Sequence, residues 1–199
     1  MSQIIYTIGH SNGTVERLAD LLNQHNIGAV ADVRSRPYSR FFPQFNRENL
    51  ARVLGAAGIE YVFLGEELGA RSTDPSCYRN GRAQYSLIAK TRQFEQGIER
   101  LAAKMANCQV SLLCAEKEPL VCHRSILIGR YLCEKKFDVQ HILEDGSLED
   151  QEALLLRLLA EHGLREADLF LTKEERVAIA YEKQAEQLEY RSDEISQPA

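Results

Sequence analysis

Two cysteines, a histidine and an arginine lie within the stretch LLCAEKEPLVCHR, residues 112–124. A thiol becomes a nucleophile when nearby cations or a helix N-terminus stabilise its thiolate form. Cys122, which is followed directly by His123, is therefore one candidate nucleophile. Cys114 is the other, because it ends a predicted buried strand. Glu116 or His10 would serve as the acid or base at Cys114, and His123 is a further candidate.

Two further interpretations of these cysteines stay open. Together with His10, the residues Cys114, Cys122 and His123 would supply soft ligands for zinc or iron. Adjacent cysteine and histidine side chains seldom reach one ion, however, so our primary prediction includes no metal and no cofactor. Free cysteines are also commonly buried as small apolar residues. Neither the C-x-x-C spacing of thioredoxin-like proteins nor the C-x-x-x-x-x-R loop of cysteine phosphatases occurs here.

An anion pocket is compatible with the thiol interpretation. We expect a helix to start near Cys122, and the N–H groups of a helix N-terminus bind phosphate or carboxylate. Arg124 in the first turn opposes the helix dipole, which makes sense if it has an anionic partner, either a ligand or an internal carboxylate. Arg34, Arg36 and Ser11 would add donors to the same pocket.

His10 and Asp32 are the remaining acid or base candidates. His10 follows the first predicted strand, and its ordinary pKa suits proton transfer near neutrality. The alternative is a hydrogen bond to the backbone. Asp32 ends a buried strand, where a carboxylate is normally paired. It is either a general base or the partner that orients an arginine.

Short apolar runs alternate with longer amphipathic ones along the chain. The runs predict strands over residues 4–8, 29–33, 61–64, 110–114 and 139–143. The amphipathic stretches predict helices over residues 15–25, 49–57 and 85–106, from near 122, over 148–161 and from 172 to about 190. This alternation is typical of the α/β class. We predict a single domain with a mostly parallel sheet of about five strands and helices on both faces.

Three regions divide the chain in this interpretation. Residues 1–163 form the α/β domain, 164–190 a C-terminal helical extension and 191–199 a disordered tail. Capping boxes are predicted at Ser147 with Asp150 and at Thr172 with Glu175. The last helix has a thin apolar stripe of Val177, Tyr181 and Leu188, which packs back on the domain, binds a partner or forms a homodimer with a second copy of the chain.

The unusual residues follow the predicted strands. Their segments are GHSNG at 9–13, DVRSRPYSR at 32–40, LGEELGAR at 64–71, the cysteine stretch and EDG at 144–146. In an open parallel sheet the carboxyl ends of the strands share one edge, and ligands bind there. We therefore expect these segments to surround one pocket.

The same segments carry a family resemblance. YTIGHS at 6–11, DVRSRPYS at 32–39, YVFLGEELG at 61–69 and LLCAEKEPLVCHR at 112–124 occur in this order. They resemble the domain of unknown function 488 family over about residues 3–145. The resemblance implies a compact bacterial-type α/β domain, and it brings no established activity.

Composition limits the class of protein. The chain has 199 residues, a net charge of −5 and five cysteines. No apolar run is long enough to span a membrane, and the N-terminus does not resemble a signal peptide. An odd set of cysteines without framework spacing favours a reducing compartment, so we expect a cytoplasmic protein.

One segment is basic although the protein is acidic. Residues 34–52 contain five arginines and a single acid, Glu48, interleaved with aromatic residues. Proteins bind a nucleobase or single-stranded nucleic acid through arginine and aromatic side chains together, and the aromatic residues here are Tyr38, Phe41, Phe42 and Phe45. A loop anchored by its aromatic side chains is the alternative.

We predict an enzyme that binds an anionic substrate. The substrate is a nucleotide, another phosphorylated molecule or a nucleic-acid-derived group. A thiolate at Cys122 or Cys114 supplies the chemistry. The rival is a module that binds single-stranded nucleic acid through residues 34–52 without catalysis. A cysteine–histidine metalloprotein is the third interpretation.

Overall fold

The computed structural model describes residues 3–165 and 170–188. Its strands are β1 (Ile4–Gly9), β2 (Ala29–Asp32), β3 (Glu60–Phe63), β4 (Tyr78–Arg79), β5 (Arg82–Ala83), β6 (Val110–Cys114), β7 (Asp138–Ile142) and β8 (Leu148–Asp150). β4 and β5 form a small antiparallel hairpin. The other six form one sheet in the order β3-β2-β6-β1-β7-β8. All its pairs are parallel except β7 with β8.

Helices lie between many of these strands and after the last one. They are α1 (Val15–Gln24), α2 (Arg47–Ala56), α3 (Gly65–Leu68), α4 (Tyr85–Ile88), α5 (Arg92–Met105), α6 (Arg130–Glu134), α7 (Gln151–Glu161) and α8 (Lys173–Leu188). A π-helix, Arg124–Gly129, runs directly into α6. The predicted α/β class and all five predicted strands are confirmed.

Two apolar cores lie on opposite faces of the sheet. On one face, Leu22 of α1 and Leu54 of α2 pack with Ile8 and Leu113 of the sheet. On the other, α5, the π-helix, α7 and α8 pack against alternate residues of the same strands, among them Leu112. Strands covered on both faces must be apolar at successive positions, which is why they are near-continuous apolar runs in the sequence.

Two predicted helix boundaries are wrong. The helix expected over residues 148–161 begins at Gln151, because Leu148–Asp150 pairs with β7 as an edge strand. Asp150, and not Ser147, is its N-cap, and its carboxylate accepts a hydrogen bond from the N–H of Ala153 at 2.7 Å. A period-2 strand of three residues is too short to be distinguished from a helix start by pattern.

The helix expected over residues 85–106 is interrupted. It forms α4 and α5, and Thr91 caps the second piece by accepting a hydrogen bond from the N–H of Phe94 at 3.1 Å. The apolar spacing is continuous across the break, whereas a threonine side chain that bonds to the backbone favours a new N-terminus.

The C-terminal helix packs on the domain. Thr172 and Glu175 form the predicted capping box, in which each side chain accepts from the backbone N–H of the other. Val177 and Leu188 of the apolar stripe are partly buried, and Tyr181 is buried in the core. The predicted disordered tail, 191–199, lies outside the described residues. Within the described ranges, no helix is both long and apolar enough to cross a lipid bilayer.

The chain order of the strands creates a crevice at the carboxyl edge of the sheet. β6 lies between β2 and β1, and the connections after β1 and β2 pack on one face, whereas the segment after β6 packs on the other. Such a change of face leaves a gap between neighbouring strand ends, where open α/β folds bind ligands.

Gly9 lets two of these strand ends approach each other. A Cβ atom at Gly9 would lie 1.8 Å from the carbonyl oxygen of Glu116. The backbone then continues side by side, since the N–H of His10 bonds to the Cys114 oxygen at 3.0 Å and that of Ser11 to the Ala115 oxygen at 2.8 Å. A side chain at position 9 would therefore displace the loop that follows β6.

We expect Gly9→Ala to lower the free energy of unfolding by about 1–3 kcal/mol, because the methyl group overlaps backbone that cannot move freely. The matched control is Gly55→Ala in α2, where an added Cβ meets nothing within 4 Å. That substitution should raise stability by up to about 1 kcal/mol, because alanine favours the helix. Urea denaturation of both variants measures the difference. Equal effects at the two positions would contradict the close approach at Gly9.

Candidate functional site

A cavity of about 310 Å³ opens where β2 and β6 end. Arg34 and Arg36, after β2, line it together with Arg71, which follows α3. Cys114 and Glu116, after β6, line it as well. The cavity therefore brings three arginines together with a thiol and a carboxylate. The expected convergence of strand ends on one pocket is confirmed for these segments.

One cluster beside the cavity contains two thiols, a carboxylate and an imidazole. The Cys114 sulfur lies 2.9 Å from Oε2 of Glu116 and 3.6 Å from Nδ1 of His123. The Cys122 sulfur lies 3.3 Å from the same oxygen and 4.0 Å from the same nitrogen. Both cysteines and the histidine are buried, at 4%, 1% and 5% exposure.

The hydrogen bond on the far side of His123 decides which nitrogen faces the sulfurs. Nε2 lies 3.0 Å from the carbonyl oxygen of Val33, so it carries a proton and donates. Nδ1 then has its lone pair toward the thiols in the neutral ring, and it carries a donated proton in the charged ring. His123 is thus oriented to take a proton from a cysteine.

The thiol pKa values move in opposite directions. Burial raises the pKa of Cys114 well above its ordinary value. Burial acts in the same sense on Cys122, but the hydrogen bond from Cys114, the charge of Arg124 and the contact with His123 together bring its pKa well below the ordinary value. For His123, burial lowers the pKa, yet the Cys122 sulfur outweighs it and the pKa is raised. These directions favour a thiolate at Cys122 beside a protonated His123.

The backbone around Cys122 differs from the predicted helix start. Pro119–Val121 forms a 3-10 turn, and Cys122 itself is extended, with φ −137° and ψ 137°. Its carbonyl accepts from the N–H groups of Ser125 and Ile126, both at 3.1 Å, as the π-helix begins. The wider turn of a π-helix is frequent at functional sites. Here it directs the next arginine inward.

Arg124 is fully buried and does not line the cavity. Its guanidinium donates to the hydroxyl of Thr7 at 3.2 Å, to the carbonyl oxygen of Glu116, and to that of Lys117 at 2.9 Å. The sequence suggested a ligand or an internal carboxylate as its partner. The partners are instead two backbone carbonyls and a hydroxyl, so Arg124 holds the loop after β6 in place.

Arg34 is held by a buried network. Asp32 accepts from Nε at 2.9 Å and from Nη2 at 2.6 Å, and Tyr61 donates to the same carboxylate at 2.6 Å. Nη2 also donates to the carbonyl of Phe45 at 2.9 Å, and Nη1 to Nε2 of His10 at 3.0 Å. Four of the five N–H groups of Arg34 therefore have partners, and one N–H of Nη1 has none among the described residues. Arg34 is a rigid donor aimed at the cavity edge.

In this network, the acid or base candidates Asp32 and His10 both hold Arg34 in its orientation. Asp32 is fully buried and shared between Arg34 and Tyr61. His10 donates from Nδ1 to the Ser11 carbonyl at 2.7 Å and stacks on Phe45 with ring centres 4.0 Å apart. Burial and the charge of Arg34 lower the pKa of His10 to about 4, so the ring is neutral at pH 7. Its remaining lone pair accepts from Arg34, which leaves no base directed at a substrate.

The other predicted binding residues divide between two places. Arg36 and Tyr38 line the cavity. Tyr38 is half exposed and its hydroxyl donates to Glu48 at 2.7 Å. Ser11 lies apart from them, at φ 52°, and lines a small pocket of about 50 Å³ beside Arg17. Arg71 was not among the predicted binding residues, although it stands in one of the segments expected at this edge.

A buried chain of hydrogen bonds connects the site with the C-terminal helix. The Thr7 hydroxyl donates to Nδ1 of His141 at 2.8 Å, and His141 Nε2 donates to Gln151 at 2.9 Å. Gln151 donates in turn to the Tyr181 hydroxyl at 3.0 Å. Because Arg124 donates to Thr7, all four links run in one direction from the cysteine loop to α8. Burial lowers the pKa of His141 to about 3, which keeps this ring neutral. No local sequence pattern indicates this role, because Thr7 and His141 are 134 positions apart in the chain.

Three soft ligand atoms are close enough to share a metal ion. The two cysteine sulfurs and a His123 ring nitrogen all lie within 4.8 Å of one another. Adjacent cysteine and histidine side chains were expected to reach one ion only seldom, and here Cys122 and His123 are close enough for it. His10, the fourth ligand considered, faces Arg34 instead.

The basic and aromatic loop after β2 is partly anchored and partly exposed. Phe45 is buried, whereas Phe41 is 75% exposed and Tyr38 is 48% exposed. The guanidinium of Arg40 lies 5.1 Å from the Phe41 ring centre. The loop therefore presents an arginine–aromatic pair to solvent, and the anchored-loop alternative applies to Phe45.

Comparison with known proteins identifies one family. The family model described as Domain of unknown function DUF488 matches residues 14–131, more than half of the chain. No curated protein and no solved structure matches the chain. The matched region includes the cavity, both cysteines and the π-helix, but it ends before α7 and α8.

We expect Tyr181→Phe to lower the free energy of unfolding by about 1–3 kcal/mol, because the buried Gln151 amide loses its acceptor. Lys183→Ala on the exposed side of the same helix is the control and should change stability by less than about 0.5 kcal/mol. Chemical denaturation of both variants provides the measurement. A Tyr181→Phe variant as stable as the parent would mean that the chain of hydrogen bonds is not maintained in solution.

Proposed function

We propose a function for a chain that belongs to the DUF488 family: it is an enzyme that binds an anionic substrate in the cavity at the carboxyl edge of its sheet and acts on it through a cysteine thiol. One observation carries the proposal. Three arginines line the same cavity of about 310 Å³ as the Cys114 thiol, together with Glu116 and His123. A substrate whose anionic group lies against the arginines would have its reacting atom within reach of Cys114.

The roles follow from exposure and contacts. Cys114 is the thiol on the cavity wall, so it is the group that attacks. Glu116, 2.9 Å from its sulfur, accepts the proton, and the protonated His123 stabilises the neighbouring Cys122 thiolate. Arg34, Arg36 and Arg71 hold the anion. Asp32 and His10 position Arg34 rather than transfer protons, and Arg124 favours negative charge on the sulfurs.

The aromatic residues of the loop after β2 support a substrate that carries a base. Tyr38 lines the cavity, and the exposed Phe41 follows three residues later. A nucleotide, or the end of a single-stranded nucleic acid, combines a phosphate for the arginines with a ring that stacks on these side chains. The same loop supports the alternative of nucleic-acid binding without catalysis, in which the cysteines would be dispensable.

A metal site is the second candidate, favoured by the geometry of the cluster. With zinc bonds of about 2.3 Å to sulfur and about 2.0–2.1 Å to nitrogen, tetrahedral ligands are about 3.6 Å apart. The observed separations from His123 Nδ1 to the sulfurs are 3.6 and 4.0 Å. The bond from His123 Nε2 to a carbonyl is the contact that commonly orients a metal-binding histidine. Cys114, Cys122 and His123 would hold the ion, with a fourth position facing the cavity as in catalytic sites. A bound ion would occupy both sulfurs, so this candidate excludes the free thiol.

The proposed function predicts that Cys114 discriminates between two alkylating reagents of similar size. Iodoacetate carries a negative charge and iodoacetamide does not, so the arginines should concentrate the first beside the thiol. We expect the iodoacetate-to-iodoacetamide rate ratio at Cys114 to exceed that at Cys108 on the order of tenfold, about 1.4 kcal/mol. Cys108 lies outside the cavity lining and is the internal reference. Peptide mapping by mass spectrometry gives the rates.

Two arginine variants test whether the arginines of the cavity cause this difference in rate. Arg36→Ala should reduce the ratio at Cys114, whereas Arg52→Ala, an exposed arginine of α2, should leave it unchanged. Equal ratios at Cys114 and Cys108 in the parent protein would rule out the anion pocket. Failure of both reagents to label Cys114 or Cys122 would rule out thiol chemistry.

The second candidate predicts metal binding by the reduced protein. Cobalt(II) added to chelator-treated protein should give a thiolate-to-metal charge-transfer band at one ion per chain. Cys114→Ser and His123→Gln should each abolish the band, and Cys108→Ser should retain it. Absence of the band in the parent protein, together with no zinc or iron in the protein as purified, would rule this candidate out.

A further inference from the structure

The two sulfurs of the cluster have different access to the cavity. Cys114 lines the cavity wall. Cys122 is 1% exposed and lies behind it, with its sulfur within 4.8 Å of the Cys114 sulfur. A substrate can therefore reach the first thiol, while the second can reach only what forms on the first.

Both thiols have access to the same proton acceptors. Oε2 of Glu116 lies 2.9 Å from one sulfur and 3.3 Å from the other, and Nδ1 of His123 also faces both. An enzyme that used one nucleophilic thiol would need acceptors for one proton only. Acceptors shared by two thiols suit a reaction in which both sulfurs lose their protons.

We propose that Cys114 and Cys122 form a dithiol–disulfide couple that reduces a small anionic disulfide. This inference rests on the proposed function, in which the arginines bind the anion and Cys114 attacks; it adds the reaction class and the role of Cys122. The cavity fits a low-molecular-weight disulfide that carries carboxylate or phosphate groups. The arginines would bind those groups and position the S–S bond at Cys114.

The reaction balances in two steps. The Cys114 sulfur gives its proton to Glu116 as it attacks one substrate sulfur, the substrate S–S bond breaks, and the leaving thiolate takes up that proton. Cys122 then attacks the Cys114 sulfur of the mixed disulfide, releases the second half of the substrate as a thiol, and closes the Cys114–Cys122 bond. The substrate gains two electrons and two protons, and the cysteine pair loses them. An external thiol or dithiol reductant returns the pair to the reduced form.

Two disulfides of similar size test this reaction with the full-length protein. Dithiodipropionate carries two carboxylates, and hydroxyethyl disulfide is neutral. Chelator-treated, reduced protein is mixed with each compound, quenched in acid and mapped by mass spectrometry. We expect a Cys114–Cys122 disulfide, with the anionic compound reacting on the order of tenfold faster. Arg36→Ala should lose this preference, and Arg52→Ala should keep it.

Cysteine variants test the order of steps. Cys122→Ser should stop at a mixed disulfide on Cys114, and Cys114→Ser should leave Cys122 largely unmodified. Cys108→Ser is the control and should behave like the parent protein.

Three results would overturn the inference. If the parent protein keeps a mixed disulfide on Cys114 without closing the Cys114–Cys122 bond, the redox couple fails but the anion-binding thiol enzyme stands. If haloacetates do not label Cys114 either, the proposed function fails with it. If the protein as purified resists both disulfides and reacts only after chelation, the cluster is a metal site.

Discussion

The buried charge of Arg124 is the constraint on which the candidate site depends. A guanidinium removed from water costs several kcal/mol unless polar groups compensate it. Arg124 is fully buried, and it bonds to the carbonyls of Glu116 and Lys117 and to the hydroxyl of Thr7 rather than to a carboxylate. Those bonds fix the loop after β6. The charge that remains uncompensated favours negative charge nearby, and the Cys122 sulfur, whose pKa it lowers, is the group positioned to carry it.

The buried charge of Arg34 is compensated in a different way. Its charge is balanced locally by Asp32 at 2.6 Å, and Tyr61 and His10 complete the contacts around the pair. Paired in this way, Arg34 is fixed where it lines the cavity, whereas the guanidinium of Arg124 bonds only to carbonyls and a hydroxyl among the described residues.

The sequence predicted the location of the site better than the roles of its residues. Strand boundaries follow from apolar runs, and parallel strands must place their carboxyl ends together, so Cys114, Arg34 and Arg36 were expected at one edge. The direction of a side chain depends on local backbone that no periodic pattern encodes. Extended Cys122 and the π-helix turn His123 toward the thiols and Arg124 away from the cavity. The same holds for His10, whose role is set by a contact with Arg34 from another strand.

Long-range polar contacts were beyond sequence reasoning for a further reason. Thr7, His141, Gln151 and Tyr181 are each ordinary in their own segment, and only the fold brings them into one chain. That chain leads from the cysteine loop, inside the matched family region, to α8, outside it. Gln184 of α8 adds a second contact, since it donates to the carbonyl of Leu120 at 2.8 Å. Both ends of the loop between the cysteines are thus tied, directly or through Arg124, to a helix that the family model does not include. Loss of α8 would leave the Leu120 carbonyl of the loop and the Gln151 amide of α7 without these partners, at about 1–3 kcal/mol each. The geometry of the thiol cluster in this chain therefore depends on its C-terminal extension as well as on the family domain.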